Sequence, residues 1–242
     1  MRTLKQVALA LPLIGLLLVF HTESAYAQKT RVRSTRAHAR ALTSTEIKQA
    51  YARLSEMGYG KGSIALVAFQ KFEDRDITGR LSRSEFDAIM NASPPQPKDS
   101  GYKHVEVDLD RQVLLLTNDE GEVRKVLPVS TGSNKKYNEK GMRGFAYTPR
   151  GRFRIYAKIS GWRKSPLGLL YYPNYFSDGL AIHGNPSVPQ TPQSHGCIRV
   201  PMSTAVDIYR SLPVGSIVLI YDSQGFVSAK DWAEADRQKQ DR

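Results

Sequence analysis

The chain has 242 residues, 40% of them hydrophobic, with 35 Lys+Arg against 23 Asp+Glu and a formal net charge of +12. That length supports one domain or two small ones, and the composition excludes both a disordered polymer and a bundle of membrane spans. A single cysteine, Cys197, excludes an intramolecular disulfide and any zinc site built from several cysteines. The basic balance points to an acidic partner, which charge alone does not specify.

The first residues decide the compartment. Arg2 and Lys5 precede an apolar run from Val7 to Phe20, and Ala25-Tyr26-Ala27 offers the small residues that a signal peptidase reads. The run is shorter than the roughly 20 residues of a bilayer-spanning helix, so residues 1–27 read as a cleaved export signal, leaving no stable membrane span in the mature chain. Outside the cytoplasm, in a periplasm or cell wall, nucleic acid is not the expected partner and acidic envelope polymers are. Residues 28–42 carry Lys29, Arg31, Arg33, Arg36 and Arg40 with no acid, and read as a flexible basic arm.

A three-helix unit is predicted over residues 43–92. Thr43 and Glu46 fit a capping box, followed by Ile47, Tyr51 and Leu54 on one face. Ile64, Ala68 and Phe72 mark a second helix, widened by Val67 and Phe69. Ser82 with Glu85 makes another box before Ile89 and Met90. This stretch resembles the three-helix peptidoglycan-binding domain through Leu54 to Tyr59, Ala68-Phe69-Gln70 and Thr78 to Leu81. Its acidic glycine-rich loop is cut down to Gly60-Lys61-Gly62.

Residues 93–101, opening with Ser93-Pro94-Pro95-Gln96-Pro97, read as a linker. Strands are then predicted: Val105, Val107 and Leu109 alternate, and Val113 to Leu116 is a buried-type run. Asn118 to Gly121 turns the chain into Val123 to Val129. Phe153-Ile155-Ala157, Leu180 to His183 and Ile217 to Ile220 add strands, and Ser203 to Leu212 reads as a helix. The basic stretch Asn134 to Ala146 exceeds a simple hairpin, as a lid, a docking loop or a solvated loop. Residues 223–242 alternate charges and read as a solvated tail.

The chemistry concentrates at Ala181-Ile182-His183-Gly184 and Ser194-His195-Gly196-Cys197-Ile198-Arg199, where two of five histidines sit within 14 residues of the only cysteine. A free thiol is at risk of oxidation outside the cytoplasm, and a nucleophile is the reading that justifies it. Such a thiol must ionise, for which a neighbouring histidine serves as base, and a strand-borne His183 is aimed more independently than His195. Gly196 lets the amides of His195, Gly196 and Cys197 approach a developing oxyanion. A zinc site from Cys197, His183 and His195 is a second reading, with no carboxylate between the ligands. A papain-like order is disfavoured, because His183 precedes Cys197.

The spacing Ile182-His183-Gly184, nine residues, then Ser194 to Arg199 resembles the signature of the L,D-transpeptidase (YkuD-type) catalytic domain. The flanks Val105 to Leu109 with Gln112, Pro128 to Gly132, Thr148 to Phe153 and Gly215 to Ile220 agree with it. The likeness spans residues 102–222. It implies an α+β chain, in which the small three-helix N-terminal unit precedes a mainly β, sandwich-like catalytic domain. By family position Cys197 is the nucleophile, His183 the base, and Gly184 the carbonyl that orients it. His195 and Gly196 lie on the oxyanion side, while Ser194 and Arg199 contact substrate. Among the aromatics Trp162, Tyr171, Tyr172, Tyr175 and Phe176, which either wall the donor groove or pack the core, Tyr172 is taken as a substrate contact. The implied reaction needs no cofactor or metal. It forms a thioester with a peptidoglycan stem tetrapeptide, expels D-alanine and passes the acyl group to an amine of a second stem or of a wall-attached protein. Water as acceptor would make an L,D-carboxypeptidase, and an inert cysteine a non-catalytic wall-binding protein.

Overall fold

The computed structural model describes residues 41–225; the expected export signal, the expected arm up to residue 40 and the expected tail from residue 226 lie outside them. The described residues from Thr43 to Gly225 form one compact unit. Three helices come first: α1 (Ser44–Glu56), α2 (Gly62–Phe72) and α3 (Arg83–Asn91). The Thr43 side chain accepts the Glu46 amide hydrogen while the Glu46 carboxylate accepts from the Thr43 N–H at 2.8 Å, a complete capping box. The second box is half made. Ser82 caps α3, but the Glu85 carboxylate turns instead to Arg75 at 3.0 Å. The buried face of α2 is also wider than its predicted stripe: Ala65, Leu66, Ala68 and Phe69 are all at 0% exposure.

The β body follows in chain order. It comprises β1 (His104–Asp108), β2 (Val113–Thr117), β3 (Val123–Pro128), a hairpin of β4 (Lys136–Glu139) and β5 (Met142–Phe145), then β6 (Gly151–Arg154) and β7 (Ala157–Lys158). After these come β8 (Trp162–Ser165), β9 (Gly168–Ser177), β10 (Leu180–Asn185), β11 (Ile198–Pro201), helix α4 (Met202–Ser211) and β12 (Ile217–Tyr221). One sheet runs β3-β2-β1-β12-β6, and the other runs β11-β10-β9-β7 with β8 paired to β9. The chain is α+β, as expected. The single strand predicted through Phe153, Ile155 and Ala157 is divided between the two sheets. The Ile155 amide bonds the Ser216 carbonyl in the first, and the Tyr156 amide bonds the Tyr175 carbonyl in the second, each at 2.9 Å.

The first sheet is covered on both faces, which explains the unbroken apolar run of β2. Val105, Val107, Leu114 and Leu116 face Phe176, Ile182, Ile198 and Val200 of the second sheet and Ala205 and Ile208 of α4. Val113, Leu115 and Val126 point the other way, into a cluster with Ala50, Leu54, Leu66 and Phe69 of the helices. The helical segment therefore completes the sheet's outer core. Polar links reinforce it: the Val126 amide bonds the Gly58 carbonyl at 2.9 Å, and buried Lys71 donates to the carbonyls of Val129 at 2.9 Å and Gln112 at 3.3 Å. The proline-rich stretch is docked too, the amides of Lys98 and Asp99 meeting the buried Glu106 carboxylate at 2.9 and 2.7 Å. Among the described residues no helix is long and apolar enough to cross a membrane.

Candidate active site

β10 and β11 run parallel and in register, Ile182 opposite Ile198 and His183 opposite Arg199. Cys197 stands just before β11, where the Ala181 backbone hydrogen-bonds its sulfur. His183, Cys197, His195, Ser194 and Arg199 all line one cleft of about 430 Å³. Among the described residues no group of three or more His, Cys, Asp or Glu side chains is arranged to hold a metal ion.

His183 is 5% exposed, and its Nδ1 lies 3.0 Å from the Gly184 carbonyl oxygen. A carbonyl only accepts, so Nδ1 carries the proton and Nε2 is left with its lone pair, the form a general base needs. Gly184 is required here for space as well: a Cβ would lie 2.6 Å from the Ala205 Cβ of α4.

Burial lowers the His183 pKa to about 4, opposed by the Gly184 bond and assisted by Arg199. Burial pushes the Cys197 thiol up, against the Ala181 bond and the Arg199 charge, which lower it. The two side chains are not hydrogen-bonded to each other. Burial thus favours the uncharged form of both groups, thiol and imidazole.

The turn before the thiol is closed on itself. Ser194 Oγ accepts the Gly196 amide at 3.0 Å and donates to the Cys197 carbonyl at 2.5 Å. Gly196 has φ +132°, and a Cβ there would lie 2.7 Å from the Tyr147 carbonyl. Thr148 Oγ1 donates to the Gly196 carbonyl at 2.8 Å and accepts the Gly132 amide at 2.9 Å, which fixes this peptide plane. Of the three amides expected to face an oxyanion, that of Gly196 is thus committed to Ser194. Those of His195 and Cys197 have no acceptor among the described residues.

Tyr172 does not line the cleft. Its ring packs edge-on against Tyr171 and against Tyr209 of α4, at centroid distances of 4.7 and 5.0 Å. Tyr175, three residues on, is the aromatic of that run that reaches the cleft, with Tyr137 joining from β4. His195 is held from outside its own turn: its Nε2 pairs with the Glu139 carboxylate of β4, and its ring meets Tyr137 edge-on at 4.7 Å. Sequence reasoning missed Glu139, Tyr137 and Thr148 as parts of the site. Only Thr148 left a signal, inside the Thr148-Pro149 motif.

A family profile described as the L,D-transpeptidase catalytic domain matches residues 102–220. The crystal structure of an L,D-transpeptidase from Xylanimonas cellulosilytica is similar, with 34% identity and a TM-score of 0.69 over 75% of this chain and 96% of that one. An L,D-transpeptidase from Stackebrandtia nassauensis is 23% identical, with a TM-score of 0.45 over 73% of this chain and 89% of that one. No curated protein matches the chain. The fold is that of an acyltransferase class, and the chain belongs to the L,D-transpeptidase family.

Proposed function

We propose that the protein is an exported transpeptidase that acts on peptidoglycan stem peptides through a Cys197 thioester. The observation that carries this reading is the convergence of the only cysteine and a base-competent His183 on one cleft from adjacent parallel strands. As Cys197 attacks the carbonyl of the third residue of a tetrapeptide, its proton passes to His183 Nε2. The S–C bond forms, the amides of His195 and Cys197 receive the oxyanion, and the C–N bond to D-alanine breaks as His183 returns the proton to the departing amine. An acceptor amine then attacks the thioester, losing its proton as the C–S bond opens. That amine belongs to a second stem peptide or to a wall-attached protein; water in its place gives carboxypeptidase activity. Arg199 contacts donor, while Ser194 shapes the turn that carries the thiol. Residues 1–27 export the chain, and residues 102–222 carry the chemistry without cofactor or metal.

Mass spectrometry of Gln28 to Arg242 with a disaccharide tetrapeptide tests the reading. A thioester adduct on wild type but not on Cys197→Ala is expected, followed by cross-linked dimers. A tripeptide with free D-alanine and no dimer assigns water as the acceptor. A folded protein that forms neither adduct nor product defeats the proposal.

A further inference from the structure

The cleft carries more positive charge than the thiol and its base account for. Arg163 and Lys164 of β8 and Arg199 of β11 line it, against one lining carboxylate, Asp178. Glu139 stands near the same cleft, engaged by His195. None of the three cations makes an ion pair with a carboxylate among the described residues. For the half-buried Arg199 this is costly, since its charge is desolvated with no anion to offset it. Arg163 lines the same cleft as Tyr175 and Cys197, from the β8 side. Cations on two strands therefore line the cleft that holds the Cys197 sulfur.

We propose that Arg163, Lys164 and Arg199 form a carboxylate-reading wall, so that the cleft selects stem peptides with a free backbone carboxylate over their carboxamide forms. The inference rests on the acyl-transfer reading for its choice of ligand. In a stem peptide, a γ-linked D-glutamyl residue preceding the attacked one leaves its α-carboxylate unused by the chain. Amidation removes that charge while keeping the shape. A guanidinium prefers the carboxylate because two N–H donors meet two anionic oxygens.

The test is calorimetric binding to Cys197→Ala of Gln28 to Arg242, which cannot turn over, using disaccharide tetrapeptides that differ only in carboxylate or carboxamide at that position. The carboxylate form is expected to bind about ten-fold more tightly at low salt, with the ratio falling as salt rises. In the Arg163→Gln/Lys164→Gln protein the ratio drops to about two-fold or less, since only the Arg199 charge remains. These side chains are exposed, so the fold is retained. Equal binding of the two peptides overturns the proposal, as does a preference that survives the double substitution. Intact mass of wild type with each peptide separates the two readings. A preference without a thioester leaves the carboxylate wall standing and removes the acyl transfer, whereas a thioester with equal affinities does the reverse. Binding of neither peptide removes both.

Discussion

At Gly196 one missing methyl group decides the geometry of the site. With φ at +132° and the Tyr147 carbonyl 2.7 Å from where a Cβ would stand, Gly196→Ala must move backbone on one side or the other. The expected cost is about 1–3 kcal/mol of stability. Thioester formation should fall roughly 100-fold, because a displaced turn misaims the sulfur and both free amides. Denaturant melts and adduct kinetics by mass spectrometry check the two parts. His183 makes a second prediction through pH. Its folded pKa, about 4, lies below the ordinary 6.5, so between those values the unfolded chain takes up a proton that the native chain refuses. Stability therefore falls as pH drops from about 6.5 towards 4, by on the order of 3 kcal/mol for this group. Urea unfolding at pH 7 and pH 4.5 should show the loss in wild type and a smaller one in His183→Asn. Adduct formation should fade over the same acid limb near pH 4, where the imidazole loses its lone pair.

The β4–β5 hairpin shows how an element that cannot stand alone is placed by the site it borders. Seven of its eight strand residues are exposed, and an isolated two-stranded hairpin is marginal in water. Tyr137 lies over Gly144, its cross-strand partner, where a Cβ would come 2.7 Å from the Tyr137 hydroxyl. That packing directs the ring onto His195 while Glu139 bonds the same imidazole. Gly144→Val should displace Tyr137 and release the hairpin. The donor KM then rises several-fold with a melting temperature within a few degrees of wild type; an unchanged KM would show that the hairpin does not help to frame the cleft. Little of this was legible in the sequence, where Asn134 to Ala146 reads as a long basic loop, because the force that places it is a contact between residues far apart in sequence, Glu139 and His195. Strands that carry their own pattern were legible: the alternation of Val105 and Val107 and the apolar run of β2 come from burial along a single strand. The pair His183 and Cys197 was legible from residue type and spacing. That Tyr175 rather than Tyr172 reaches the cleft was not legible, because β9 bends at Tyr172, whose φ is +50°, so simple alternation along the strand does not say which ring faces the cleft.

Across the whole molecule the helices and the catalytic sheet share one interior, and that sharing predicts what truncation does. Removing residues 43–92 would bare Val113, Leu115 and Val126, which are at most 1% exposed, and would strip the Val126 amide of its Gly58 acceptor. Three fully bared aliphatic side chains cost about 5 kcal/mol or more, comparable to the entire stability of a domain this size. The chain from Ser93 should therefore be insoluble or molten, with no thioester formed. Lys71→Met separates the polar link from the packing. Lys71, held to about 8 by burial, sits under the carbonyl of Val129, and the next residue, Ser130, exchanges backbone bonds with Arg199 at 3.0 and 3.2 Å. Between pH 8 and 10.5 the unfolded chain keeps a proton that native Lys71 has lost, so this group makes stability rise with pH there. Lys71→Met removes that rise and leaves the helices seated, which unfolding at pH 8 and pH 10 reads directly. A soluble chain from Ser93 that still forms the thioester would make the helices an appendage and end the argument from a common core.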